Sequence, residues 1–243
     1  YKTRGAGRHH LPLRDDPEGA TAEAYRSLRA NLKFAFSSER DVRVIAATSC
    51  TQGEGKSSTN LSLAMSFAKS GRRVIVLDCD MRVPSVDKYL GLPLSPGLSE
   101  VLQSKCDWHA ALHTNVVERL DVLTAGAQPA SPSDLLDAQE FRRLLERLRR
   151  DYDLVVCDVP PAHAVADLES VVTQIDGVLI VVRSNKVSAR TIAESVKRLK
   201  QSGAHLVGAV LNGVGSSIVN GRFGNEYGYG YGKRSDKQQR DAG

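Results

Sequence analysis

Short apolar runs rich in β-branched residues recur along this chain: Val42 to Ala46, Val74 to Leu77, Leu120 to Leu123, Leu154 to Cys157, Val178 to Val182 and Leu206 to Leu211. A strand with one wet face alternates apolar and polar residues, so near-continuous runs mark strands buried on both faces. Helical periods lie between them. Phe141, Leu144, Leu145 and Leu148 fall at i, i+3, i+4 and i+7, and Ile192, Val196 and Leu199 keep a similar stripe until Gly203 stops it. Strands alternating with helices predict an α/β fold, a doubly wound and mostly parallel sheet flanked by helices. Ligands on such sheets sit at the carboxyl ends of the strands.

The 243 residues, 41% hydrophobic and 25% charged, suit one such domain with a full core and additional ends. The expected divisions are a basic linker over 1–20, the domain over 21–216 and a flexible tail over 217–243. The opening YKTRGAGRHHLPLR is basic, as the cytoplasmic flank of a membrane helix tends to be. That fits either the inner part of a longer membrane protein or a trimmed chain. No run approaches the roughly 18 apolar residues of a membrane span. The net charge of +5 is spread out, which argues against nucleic acid as a partner. Cys50, Cys79, Cys106 and Cys157 form no CxxC pair, so a reducing compartment is expected. Cys106, His109 and His113 would share a helix face, but with no fourth ligand evident they are read as surface residues.

The first run leads into TSCTQGEGKSS, residues 48–58, and then into a helix with Leu61, Leu63, Ala64, Phe67 and Ala68. Gly53 and Gly55 let the backbone turn so that successive N–H groups point inward. Lys56 supplies a cation, and Ser57 offers a hydroxyl to Mg²⁺ at a helix N-terminus. The stretch departs from GxxxxGK[ST] at Cys50, where the first glycine belongs; strand before and helix after still mark a phosphate cradle.

Acids close two later runs. VIVLDCDMRVP (74–84) places Asp78 and Asp80 at i and i+2, on one face of a strand end, where they repel unless a cation stands between them. In DLVVCDVPP (153–161), Asp158 follows four apolar residues, the Walker B pattern in which a carboxylate reaches Mg²⁺. Asp153 precedes that run and belongs at the opposite end of the strand.

P-loop, DxD and late Walker B together resemble the deviant P-loop ATPases. Members that position septa or plasmids carry a signature lysine where this chain has Thr51. Its absence, with LDCDMRVP, GLSEVL (97–102), LDVLTAG (120–126), SPSDLL (131–136), YDLVVCDVPPA (152–162) and VLIVVR (178–183), is similar to the bacterial tyrosine kinases of exopolysaccharide export. The resemblance runs from about Ala22 to Asn212 and resumes in the tail. It implies ATP on Gly53, Glu54, Gly55, Lys56, Ser57 and Ser58; Mg²⁺ near Ser57, Asp78, Asp80 and Asp158; and Asp78 accepting the tyrosine proton beside Lys56 and Asp80. Asn212 matches a position tied to adenine recognition, a plain strand cap being the alternative reading.

EAYRSLR (23–29) resembles the family's oligomerisation helix, with Glu23, Arg26 and Arg29 on one side and Tyr25, Leu28, Leu32 and Phe36 on the other. A solvated charged face on its own domain is the plainer reading of that spacing. The resemblance further implies a ring-like homo-oligomer, a transmembrane activator segment on the same or a separate chain, an opposing tyrosine phosphatase, and a place on the cytoplasmic face of the plasma membrane. In the tail, GNEYGYGYGK sets Tyr227, Tyr229 and Tyr231 each before a glycine. Rings with nothing to bury them read as phosphate acceptors, modified in trans between neighbours, plain low-complexity disorder being the alternative reading. The alternatives are a positioning or partition ATPase, or a non-catalytic regulator that switches assembly with nucleotide.

Overall fold

The computed structural model describes residues 10–37, 42–163 and 165–214. Two compact units are distinguished, Tyr1–Asn212 and Gly213–Gly243; of the second, only residues 213 and 214 are described. Tyr227, Tyr229 and Tyr231 lie outside the described residues.

The elements of the first unit run in the order α1 (Pro12–Asp15), α2 (Ala20–Ser37), β1 (Val44–Ser49), α3 (Lys56–Ala68), β2 (Val74–Asp78), α4 (Val86–Leu90), α5 (Leu98–Leu102), α6 (Trp108–Ala111), β3 (His113–Val117), β4 (Leu120–Leu123), α7 (Pro132–Asp137), α8 (Gln139–Asp151), β5 (Leu154–Asp158), α9 (Val165–Val172), β6 (Gly177–Arg183), α10 (Ala189–Gln201) and β7 (Leu206–Asn212). The expected α/β architecture is present: among the described residues one sheet holds seven strands in the order β3-β4-β2-β5-β1-β6-β7. Every neighbouring pair is parallel except β3 with β4.

The unbroken apolar runs have the expected cause, a separate core on each face of the sheet. Along β5, Val155 and Cys157 enter the core that also holds Phe141, Leu144, Leu145 and Leu148 of α8. Leu154 and Val156 point the other way, into the core with α2 and α3. Each strand residue is therefore buried whichever way it faces.

Three local readings differ. β3 has no apolar run, because HTNVV is a half-exposed edge strand held antiparallel against β4. Cys106, His109 and His113 share no helix face: Cys106 precedes α6, His109 lies in it and His113 opens β3. Within the stretch expected as linker, Leu13 of α1 and Leu11 just before it are buried in the α2–α3 core.

Register sets the level of the site. Asp78 at the end of β2 pairs with Asp158 at the end of β5, and Ala47 of β1 also stands opposite Asp158. Both carboxylates thus emerge on the edge where β1 gives way to the glycine loop.

Candidate active site

The loop from Cys50 to Gly55 is built so that its backbone, not its side chains, faces the cleft. Gly53 (φ 73°) and Gly55 (φ 96°) adopt left-handed conformations that a side chain would strain. At Gly55 a Cβ would also stand 2.1 Å from the amide nitrogen of Asn212. The loop is braced from behind by Glu54, fully buried. One Glu54 oxygen accepts from Thr51 Oγ1 (2.9 Å) and from the Thr51 backbone N–H, and the other accepts from Arg183 N at 3.1 Å. Arg183 Nη1 donates to Gly53 O (3.3 Å), and Lys186 Nζ donates to Gln52 O. Glu54 can therefore offer a phosphate its backbone only. Asn212 Nδ2 donates to Glu54 O at 2.9 Å, which ties the end of β7 to the loop.

Lys56 opens α3 and turns toward the acids. Its ammonium lies 2.9 Å from Asp80 Oδ2, 3.3 Å from Asp158 Oδ2 and 3.3 Å from Ser57 Oγ. Burial opposes its charge, but Asp158, Asp80 and Asp78 outweigh that and hold its pKa above that of an ordinary lysine. Ser57 Oγ donates to Asp158 Oδ2 (2.6 Å) and accepts from Ser85 Oγ (2.8 Å).

Asp78 is wholly buried, and burial is the main reason its pKa rises to about 8, with the nearby Asp158 adding to the rise. Lys56 and the backbone N–H groups of Val86 (3.1 Å) and Ser85 (3.2 Å) oppose that rise without cancelling it. Asp80 Oδ1 accepts from Val83 N at 3.1 Å. Two buried carboxylates thus hold the Lys56 ammonium, and a third, Asp78, is buried near enough to act on its charge. The remaining negative charge, which forces a proton toward Asp78, is what a divalent cation at Ser57 Oγ and the acids would neutralise, so these residues fit Mg²⁺.

The phosphate loop, Lys56, Ser57, Asp78, Asp80 and Asp158 therefore meet, and Asn212 joins them through Glu54. Asp153 lies at the other end of β5, where it accepts from Arg73 N. Glu23, Arg26 and Arg29 lie apart on α2. Arg26 bonds Glu23 (2.8 Å) and Pro17 O, and Arg29 donates to Ser66 O, so both arginines have partners within their own domain.

Sequence reasoning missed three supports. Asn60 Nδ2 donates to Asp158 Oδ1 (2.8 Å) and Ala47 O (3.0 Å), while its oxygen accepts from Ala47 N (2.9 Å). A polar amide inside an apolar helical stretch was its visible signal. Arg82 makes a two-pronged pair with buried Asp167, linking the loop after β2 to α9. Ser85 had no signal beyond its nearness to the acids.

The chain is similar to known proteins. A family described as "AAA domain" matches residues 42–207. The chain is 34% identical over 225 residues to tyrosine-protein kinase YwqD of Bacillus subtilis, covering 93% of this chain and 92% of that protein. It is 35% identical over 234 residues to putative tyrosine-protein kinase EpsB of Ralstonia solanacearum, covering 96% of this chain but 30% of that relative. The kinase domain of the Escherichia coli tyrosine kinase ETK superposes with a TM-score of 0.81 at 32% identity, covering 94% of this chain and 88% of that one. Cobyrinic acid a,c-diamide synthase from Mycobacterium smegmatis, solved with an ATP analog and magnesium, shares the fold at a TM-score of 0.60 and 24% identity, covering 70% of this chain and 72% of that one.

Proposed function

Because the chain belongs to the bacterial tyrosine kinases, a branch of the P-loop fold, we propose that it moves the γ-phosphoryl group of ATP to its own tail tyrosines, in trans between neighbouring copies. The observation that carries this reading is the Lys56 ammonium held between Asp80 and Asp158 with Asp78 buried beside them.

In the transfer, a bond forms between the tyrosine oxygen and the γ-phosphorus while the β–γ bridging bond breaks and ADP leaves. The hydroxyl proton goes to Asp78, which takes it in its ionised form, the form that neutralising the site's excess negative charge restores. Backbone N–H groups around Gly53 and Gly55 hold the phosphates, and Lys56 offsets charge that grows on the oxygens in the transition state. When bound by Ser57, Asp78, Asp80 and Asp158, Mg²⁺ supplies further neutralisation of the phosphate charge. Ser85 and Asn60 orient Ser57 and Asp158, so the ligand set does not depend on free side chains finding their positions. Asn212 lies beside the loop on the side away from the acids, a place suited to the base of the nucleotide.

No helix among the described residues is long and apolar enough to cross a membrane. The resemblance supports placing the domain on the cytoplasmic face of the plasma membrane, in exopolysaccharide export. There it would form a ring-like homo-oligomer through Glu23, Arg26 and Arg29, respond to a transmembrane activator on the same or another chain, and be reversed by a tyrosine phosphatase. Acceptors at Tyr227, Tyr229 and Tyr231 give modification an electrical consequence. Residues 217–243 hold five Lys/Arg and three Asp/Glu, +5 − 3 = +2; three phosphates at about −1.5 to −2 each bring the tail to roughly −2.5 to −4.

The test mixes Lys56→Met protein bearing the tail with active protein truncated after Ser217, adds ATP and Mg²⁺, and maps phosphotyrosine by mass spectrometry. Label on the inactive partner at Tyr227, Tyr229 or Tyr231 is the expected result. An unlabelled inactive partner, while intact active enzyme incubated separately labels itself, would mean transfer in cis, and no label in either reaction would leave an ATPase or a nucleotide-binding regulator.

A further inference from the structure

The loop joining β2 to α4 is pinned along its length by the groups of the site. Cys79 N donates to Asp158 O (2.8 Å), Val83 N to Asp80 Oδ1 (3.1 Å) and Ser85 N to Asp78 Oδ2 (3.2 Å). Ser85 Oγ reaches Ser57 Oγ (2.8 Å), and Arg82 is clamped on Asp167. Within this fixed loop Val83 remains 51% exposed.

A scattered apolar side chain on a surface needs no explanation. Val83 differs because its backbone is fastened to a site carboxylate, so its side chain is held out in one place beside the acids. Among the described residues the other large exposed hydrophobics are Phe34 on α2 and Leu211 on β7. In the sheet, β7 is separated from β2 by β5, β1 and β6, which puts Leu211 on the far side of the glycine loop from Asp78 and Asp80.

The acceptor's own chemistry narrows what Val83 is for. In GNEYGYGYGK each tyrosine precedes a glycine, so an incoming acceptor brings an aromatic ring and main chain but no large apolar neighbour. Grip on such a peptide has to come from an apolar surface against the ring, placed so that the hydroxyl at its far end reaches the acids. We infer that Val83 is that surface: the platform on which the acceptor tyrosine of a second copy's Tyr-Gly segment stacks, and hence a determinant of acceptor specificity. The inference rests on the kinase reading and adds to it the residue that receives the ring.

The experiment uses the full chain with Tyr227, Tyr229 and Tyr231 replaced by alanine, so that its own rings do not compete, and supplies a peptide of residues 224–233 at varied concentration. Val83→Ser should raise KM for the peptide about tenfold, the effect of withdrawing most of one valine's apolar contact. Its affinity for a fluorescent ATP analogue should stay unchanged. Val83→Leu, which keeps an apolar surface, should restore a KM near that of the parent. An unchanged peptide KM in Val83→Ser overturns the platform. So does a parallel loss of nucleotide affinity, which would make Val83 a brace for the loop, or failure of Val83→Leu to rescue. If the parent protein leaves the peptide and intact tails alike unlabelled, the kinase reading itself falls and the platform with it.

Discussion

Asp78→Asn should change the pH dependence of stability more than stability itself. An unfolded aspartate titrates near 3.8, whereas Asp78 in the folded site titrates at about 8. Between those values the folded protein holds a proton that the unfolded chain has already released. Stability from this group therefore falls as pH rises through the window, and the loss is complete only above the folded value. From about pH 5 to about pH 8 the shift spans about 3 units at 1.36 kcal/mol each, an upper bound of ~4 kcal/mol. Asp158 shares the site's charge with Asp78, so we expect a change of about 2–4 kcal/mol. Asparagine has nothing to titrate. Its weaker acceptance from Ser85 N and Val86 N costs the same at every pH, so comparing two pH values isolates the ionisation. The assay is urea unfolding of parent and variant, followed by circular dichroism at about pH 5 and about pH 9, with a chelator present and nucleotide absent. The variant should gain on the parent by about 2–4 kcal/mol between the two conditions, and Mg²⁺ with ADP should shrink that gain by lowering the parent's carboxylate pKa. Parallel curves would refute the reasoning, because they would mean that Asp78 is ionised throughout.

Lys56→Met should reduce phosphoryl transfer by at least the ~10²–10³-fold typical of losing one transition-state charge stabiliser, while circular dichroism at neutral pH reports a folded domain; near-normal phosphotyrosine would reject the loop assignment. Asn60→Ala strands the Ala47 N–H and releases Asp158, so unfolding should show a loss of about 1–3 kcal/mol together with a weaker Mg²⁺ dependence of labelling. A stability loss with Mg²⁺ dependence intact would confine Asn60 to the core. Replacing Glu23, Arg26 and Arg29 together by alanine should lower the mass seen by light scattering while circular dichroism still reports a folded domain, at a stability cost of about 1–3 kcal/mol from the lost bonds to Pro17 O and Ser66 O. An unchanged mass would return that face of α2 to a solvated role.

The strands were legible wherever burial on both faces left an unbroken apolar run, and the phosphate loop and its acids were legible because their chemistry dictates residue type and spacing. β3 was not, since an edge strand such as HTNVV need not be apolar. Nor was the inward turn of Glu54: its spacing inside the loop looks like a phosphate contact, and only the positions of Thr51 N and Arg183 N reveal a brace. Asn60 and Ser85 escaped for a related reason. A side chain that acts by holding another one carries at most a weak signal, such as an amide in an apolar stretch, and its value depends on how strands far apart in sequence align. Arg26 and Arg29 show the reverse case, because periodicity places them correctly on α2 but says nothing about the Pro17 and Ser66 carbonyls they meet.

Helix α3 is sealed along nearly its whole length: Ser57 and all residues from Thr59 to Ala68 are buried, the polar Thr59, Asn60, Ser62 and Ser66 among them. Most helices keep an outer face on which sequence drifts freely. This one has almost none, so nearly every substitution in it must be answered by a change in the sheet, in α2 or in the loop. Inheritance along this stretch should therefore be conservative even at positions that never approach a nucleotide. A deep mutational scan read by folded yield alone, with no selection for activity, would check this: α3 should be as intolerant of change as the central strands, and tolerance at Ser62 or Ser66 equal to that of an exposed helix would contradict it.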